Sequence, residues 1–177
     1  MKKILILGGG ISKERKISLE TAKQVNKVLN RRFKTFICEP NNDLIQKIKT
    51  FKPDLIFNAL HGRFGEDGYI QSILEKLKIK YTHSGVISSF LAMNKILSKE
   101  IFIKNNILTP KFIKFSFNND QKISIKFIKR IEQRLKFPVV IKPINEGSSV
   151  DVYICTKKNL SIPPLKYERV FKLKKKI

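Results

Sequence analysis

Four short apolar runs, separated by amphipathic stretches, fill the first 85 residues, and this alternation restricts the fold more than any other feature of the chain. Residues 4–7 (Ile-Leu-Ile-Leu) are apolar without interruption. A strand with one wet face would alternate, so this run reads as a strand buried on both faces, the pattern of parallel sheets. Leu19, Ala22, Val25 and Leu29 then recur at helical spacing, predicting an amphipathic helix over residues 18–30. Residues 33–38 form a second strand, closed by Pro40; Leu44, Ile45 and Ile48 line a second helix. Residues 54–60 form a third strand; Ile70, Ile73, Leu74 and Leu77 mark a third helix, and residues 81–82 a short fourth strand. The order β-α-β-α-β-α-β predicts a parallel sheet with helices on both faces, an α/β fold.

In open sheets of this kind ligands bind beyond the carboxyl ends of the strands. Two unusual loops fall at such ends. The first, residues 8–19, begins Gly-Gly-Gly and carries Glu14. It lacks the later glycines of a dinucleotide fingerprint and the Gly-Lys-Ser/Thr of a P-loop. A carboxylate at a strand end can instead bind an ammonium group, or be a plain solvated loop acid. The second loop, residues 61–68, reads His-Gly-Arg-Phe-Gly-Glu-Asp-Gly. His61 could bond a ligand, move a proton or be structural. Glu66 and Asp67 are adjacent and lack metal-ligand spacing, so Asp67 is expected to cap the following helix. Both loops should share one rim of the sheet.

Past residue 85 the pattern changes. Phe90, Met93, Leu97 and Ile101 predict a helical stripe over residues 88–104. A strand (111–115), a helix (124–135), a strand (138–142) and, after a glycine-containing loop, another strand (150–155) follow. The loop begins after Lys142, which ends an apolar strand, and carries Gly147, Ser148 and Ser149. Free amides and hydroxyls there can cradle phosphate oxygens, with the lysine supplying charge. An ordinary hairpin is the plainer alternative. Lys95, on its own, reads as helix surface. Residues 156–177 hold Pro163-Pro164, eight Lys or Arg and one acid, and show little periodicity.

Composition matters for what it excludes. The 177 residues have a formal net charge of +23, which admits a nucleic-acid binder. Yet the lysines are scattered, and Lys, Ile, Asn and Phe are abundant while Ala is scarce, as compositional drift would give. No zinc-ligand pairs or aromatic RNA-binding pattern is present, so no nucleic-acid partner is expected. Cys38 and Cys155 lack a CxxC spacing and fit two isolated thiols in a reducing compartment. No run reaches membrane-spanning length and the apolar start is too short for a signal peptide, so a soluble cytoplasmic protein without membrane partners is expected.

Three stretches, LILGGGISKERKISLETA (5–22), NALHGRFGEDGYIQSILEKLKIKYTHSGVISSFLAMNKILSK (58–99) and FPVVIKPINEGSSV (137–150), occur in the order found in the D-alanine–D-alanine ligases of the ATP-grasp superfamily, and the chain resembles that family over residues 1 to about 155. The resemblance implies a Rossmann-like preATP-grasp domain (1–88), part of an ATP-grasp domain (89–155) and a basic tail outside the family pattern (156–177). It implies ATP-dependent joining of two D-alanines for peptidoglycan, with ATP and magnesium as cofactors and a homodimer among the expected assemblies. Glu14 would hold the ammonium of the first D-alanine, with His61 beside the same substrate and Glu66 positioning a lid. Lys95, Lys142, Ser148 and Ser149 would contact ATP, Ser148 working with Glu14 as a catalytic residue. The magnesium ligands would not lie in this chain.

Three positions depart from the family pattern. Lys16 stands where Glu is usual, Asn94 where Asp is usual, and Asp151 where Gly is usual. Asp151 adds a negative charge beside the phosphate loop and is expected to weaken ATP binding. Because the family continues well beyond the matching stretches, the chain is expected to be an amino-terminal portion, inactive alone; a noncatalytic binding module or a subunit needing a partner chain is the alternative.

Overall fold

The computed structural model describes residues 1–115, 124–147 and 149–157, and the backbone of a strand at residues 169–173. The chain divides into two compact units, Met1–Met93 and Asn94–Ile177.

The first unit holds strands β1 (Lys3–Leu7), β2 (Lys34–Cys38) and β3 (Leu55–Asn58) in the order β2-β1-β3, all parallel. Helices α1 (Arg15–Leu29), α2 (Leu44–Phe51), α3 (Tyr69–Lys76) and α4 (Val86–Met93) complete it. The uninterrupted apolar run of β1 has the predicted consequence. Its odd residues, Leu5 and Leu7, pack with Leu44, Ile48, Ile70 and Leu74 of α2 and α3. Its even residues, Ile4 and Ile6, pack with Ala22, Val25 and Leu29 of α1. Each of the fully buried Leu and Ile side chains contributes about 1.5–3 kcal/mol relative to exposure, so this central strand organises both faces of the sheet. The expected fourth strand is a single parallel bridge between Ile56 and Tyr81. The Tyr81 hydroxyl donates to Glu75 Oε1 at 2.7 Å, and burial followed by that carboxylate pushes the phenol up to about 12.

The second unit begins with α5 (Lys95–Lys104) and contains β4 (Phe112–Phe115), α6 (Ile125–Arg134), β5 (Val139–Pro143), β6 (Tyr153–Cys155) and β7 (Arg169–Leu173). Its sheet runs β4-β7-β5-β6, with every pairing antiparallel. Helix α6 starts at the expected residue, Ser124, whose hydroxyl oxygen accepts the Phe127 amide. It covers one sheet face through Ile131 and Leu135, against Ile113, Val139 and Ile141.

Two expectations need correction here. Residues 88–104 are not one helix: the chain breaks at Asn94, whose extended backbone (ψ 105°) and side chain, accepting the Ile96 and Leu97 amides, start α5 anew. The predicted stripe is consequently not the buried face. Phe90 is 55% exposed, whereas Ile96 and Lys99 are buried. The Lys99 ammonium donates to Thr109 Oγ1 and the Pro110 carbonyl, both at 2.7 Å, and lies 5.1 Å from the centre of the Phe112 ring. The same break explains why Asn serves at position 94, since Asn and Asp are comparable helix caps. Secondly, the segment read as an unpatterned tail supplies β7, which pairs with both β4 and β5. Five residues set among lysines and prolines are too short to show strand periodicity by themselves.

Candidate functional site

In a parallel sheet of order β2-β1-β3, the chain leaves β1 toward β2 on one side and returns to β3 on the other, so the loops after β1 and β3 diverge and leave a crevice. Those are the loops at residues 8–14 and 59–68. Ser18, one turn into α1, fixes their relation. Its hydroxyl donates to the Ala59 carbonyl at 2.8 Å and accepts the Gly9 amide at 2.7 Å, with the side chain fully buried. Ser12 adds a second tie, its hydroxyl donating to the His61 carbonyl at 2.7 Å and accepting the Glu14 amide.

Glu14 is the residue immediately before α1, yet its side chain caps no helix amide. It turns into the crevice instead, where the residue is only 4% exposed. Its Oε2 is buried and has no hydrogen-bond partner. A buried carboxylate oxygen without a donor is unfavourable by about 1–3 kcal/mol or more, and a ligand that donates to it is one way that cost is relieved. The positive end of α1 offsets part of the charge. Gly62 makes the approach feasible: it has φ +70°, and a Cβ there would lie 2.3 Å from Glu14 Oε2. The Glu14 carboxylate thus lies directly against the His61 loop, at a point where any side chain at position 62 would collide with it.

The His61–Gly68 loop is rigidly built. The Gly65 carbonyl accepts from Asn58 Nδ2 and Gln71 Nε2, both at 2.8 Å and both buried. Glu66 Oε2 accepts the Gly62 amide at 2.7 Å. Asp67 accepts the Phe64 amide through Oδ2 and the Tyr69 amide through Oδ1. Asp67 was expected at the cap of α3; the cap position itself belongs to Gly68 (φ 92°), and Asp67 reaches over it to the first helical amide. The physical reason is the positive φ at 68, which a side chain resists. His61 is half-buried, its Nε2 3.1 Å from Thr21 Oγ1. The Thr21 hydroxyl donates its proton to the Ile17 carbonyl. The Thr21 hydroxyl thus bridges the Ile17 carbonyl and the His61 ring, which fixes the ring's orientation.

The first glycine loop is closed to a pyrophosphate by the chain itself. Glu39, just past β2, accepts the Gly10 amide through Oε1 at 3.1 Å and pairs bidentately with Arg15 at 2.6 and 2.8 Å. The Arg15 hydrogen bond holds the Glu39 carboxyl below the usual range, and Glu39 in turn raises Arg15. The position over Gly9 that a phosphate would approach holds the Glu39 side chain, 2.5 Å from a Cβ built there.

In the second unit, Lys142 is the half-buried member of β5, between buried Ile141 and Pro143. Lys95 does not face solvent as plain helix surface. At the first position of α5 it donates its amide to the Ile144 carbonyl at 3.2 Å, and its ammonium bonds the carbonyls of Ile144 (3.2 Å) and Glu146. The loop after β5 thus follows one lysine in the strand, Lys142, and is bonded by a second from α5, Lys95. Ser149 and Asp151 in that loop have φ +61° and +53°. The left-handed conformation at 151 is one that glycine adopts freely and Asp tolerates better than most residues. Ser148 lies outside the described residues. Among the described residues no group of three or more His, Cys, Asp or Glu side chains is placed to hold a metal ion. No helix among them is long and apolar enough to cross a membrane. Cys38 and Cys155 are free and buried, and burial raises both thiols.

Sequence reasoning singled out Glu14, His61, Lys142, Ser148 and Ser149 from the residue pattern, and Glu66 and Lys95 from the family resemblance alone. It passed over Ser12, Ser18, Thr21, Glu39, Asn58 and Gln71, which position them. The spacing of Ser18 and Thr21, one and two turns after Glu14 on α1, was the available signal.

A parallel α/β unit with a carboxylate-bearing crevice at its strand ends, followed by an antiparallel unit whose loop after β5 is bonded by a lysine, is the architecture of preATP-grasp and ATP-grasp proteins. The family model described as D-ala D-ala ligase N-terminus matches residues 38–84, and the one described as D-ala D-ala ligase C-terminus matches 101–168, past the residue-155 limit of the sequence resemblance. A D-alanine–D-alanine ligase of Pelagibacter ubique is 66% identical over 90% of this chain and 52% of its own length, and one from Wolbachia of Brugia malayi is 48% identical over 85% of the chain and 42% of its own. The ATP-complexed D-alanine–D-alanine ligase of Bacillus anthracis superposes with a TM-score of 0.78 at 27% identity, over 99% of this chain and 60% of that one. The chain belongs to the D-alanine–D-alanine ligase family and spans about half the length of the curated relatives it matches.

Proposed function

We propose that this chain serves the ATP-dependent joining of two D-alanines for peptidoglycan in the cytoplasm. The buried, partnerless Glu14 Oε2 facing Gly62 is the observation that carries the assignment. It is a single acceptor matched to a compact cation, and the α-ammonium of the first D-alanine would complete it with a charge-assisted hydrogen bond. His61, held by Thr21, stands in the same loop pair and would lie beside that substrate. Glu66 holds the Gly62 amide, so any role with a lid would be exercised through its exposed side.

Lys95 and Lys142 would hold the phosphates of ATP, with Ser148 and Ser149 contributing loop hydroxyls. The test of fit is the donor set. Lys95 bonds the loop and Lys142 lies near the end of the strand that leads into it, two cations that suit a polyanion, and Asp151 opposes them at short sequence distance. ATP, when bound, supplies the phosphoryl group that activates the first carboxylate; the amine of the second D-alanine then displaces phosphate and the peptide bond forms. Magnesium is assigned no residue of this chain. The chain's spanning about half the length of its curated relatives favours a second reading, a noncatalytic binding module or a subunit that needs a partner chain.

Titration of the chain with D-alanine and with N-acetyl-D-alanine, followed by the Gly62 amide in nitrogen-15 spectra, tests the assignment. D-alanine should move Gly62 saturably while the acetylated compound, which lacks the ammonium, should not. Equal effects from both would overturn it.

A further inference from the structure

We infer that Glu39 is a positioning residue for the Glu14 carboxylate, which rests on the amino-acid reading of the crevice given above. Glu14 sits in the loop between Gly10 and Arg15, and Glu39 grips both ends of that loop. Its Oε1 accepts the Gly10 amide at 3.1 Å and the Arg15 Nε at 2.6 Å; its Oε2 accepts Arg15 Nη2 at 2.8 Å. The loop is therefore held from two sides. Ser12 anchors it to the His61 carbonyl on the β3 side, and Glu39 anchors it on the β2 side.

Two features separate this arrangement from an incidental surface pair. The bidentate geometry fixes the plane of the Arg15 guanidinium, and Arg15 is the first residue of α1, covalently next to Glu14. In addition, the Gly9 position accommodates the Glu39 side chain and nothing larger than hydrogen. An exposed ion pair contributes little to global stability, so its effect should fall on the local geometry it spans. Holding both loop ends limits how far the buried carboxylate can move from the place where an ammonium would meet it. The bidentate pair also keeps the Arg15 charge engaged beside the neighbouring Glu14 carboxylate.

The test compares Glu39→Ala, Arg15→Gln and Glu14→Gln in the full chain, with D-alanine affinity read from the Gly62 amide and stability from thermal unfolding. Glu39→Ala should weaken D-alanine binding by about five-fold or more, the size of coupling expected between residues of one network, with melting nearly unchanged. In the Glu14→Gln background the same substitution should have no further effect, which a general loosening of the fold would not give. Glu39→Gln, which retains an acceptor for Gly10, should fall between. If Glu39→Ala fails to fold, Arg15→Gln removes the same pair and should weaken binding by the same criterion. Loss of affinity in Glu14→Gln with wild-type affinity in the folded Glu39 or Arg15 variants would overturn the role of Glu39 alone. Unchanged affinity in Glu14→Gln would overturn the amino-acid reading beneath it.

Discussion

Replacing Glu14 by methionine should make the free protein more stable and the liganded protein less so. Glu14 is 4% exposed and its Oε2 has no partner. An unsatisfied buried acceptor is unfavourable by about 1–3 kcal/mol, and methionine fills similar space without one. The gain should be about 1 kcal/mol or more, or about 2–4 °C per kcal/mol in melting temperature for a chain of this size. The charge-assisted bond to an ammonium is worth about 1.5–3 kcal/mol, so D-alanine affinity should fall by about ten- to a hundred-fold. Wild type at a ligand concentration of about 100 Kd should gain about 2.7 kcal/mol, whereas the variant should gain far less. Thermal unfolding with and without D-alanine would therefore show the two proteins exchanging order. A Glu14→Met protein less stable than wild type without ligand, or one keeping the full ligand shift, would refute the reasoning.

Three further outcomes follow from particular contacts. Gly62→Ala, placing a side chain at φ +70° and against Glu14 Oε2, should lose about 1–2 kcal/mol in urea unfolding together with D-alanine binding. Lys99→Met leaves Thr109 Oγ1 and the Pro110 carbonyl without their ammonium donor and should lose about 1–3 kcal/mol, measured by denaturant midpoint; a neutral result would contradict the structural role given to that lysine. Tyr81 has a phenol raised from 10 to about 12, so it supports the fold fully below pH 10 and progressively less as pH rises through 12. The stability difference between wild type and Tyr81→Phe should accordingly shift against wild type between pH 10 and 12, and a difference constant over that window would count against the burial of the phenol.

The sequence revealed most of the first unit because β1 is apolar on both faces and its first three helices, α1 to α3, repeat their apolar residues at 3.6. The same rule failed at residues 88–104, where a helical stripe crosses Asn94. A cap depends on one side chain turning back to two amides, and periodicity does not register it. Glu14, His61 and Lys142 stood out because polar groups at the ends of apolar strands are conspicuous. Lys95 did not, since its contacts are to the carbonyls of Ile144 and Glu146, about 50 residues away in sequence. Glu39 was equally hidden: its meaning comes from β2 lying beside β1, which only the strand order supplies. Asp67 shows the limit of local rules, being one residue from the cap position that its type predicts.

The most direct test of the account is a crystal structure of the chain grown with D-alanine. The account predicts the amino-acid nitrogen within hydrogen-bonding distance of Glu14 Oε2, beside Gly62. D-alanine bound with its carboxylate toward Glu14, or in a place that leaves Glu14 Oε2 without a donor, would contradict it.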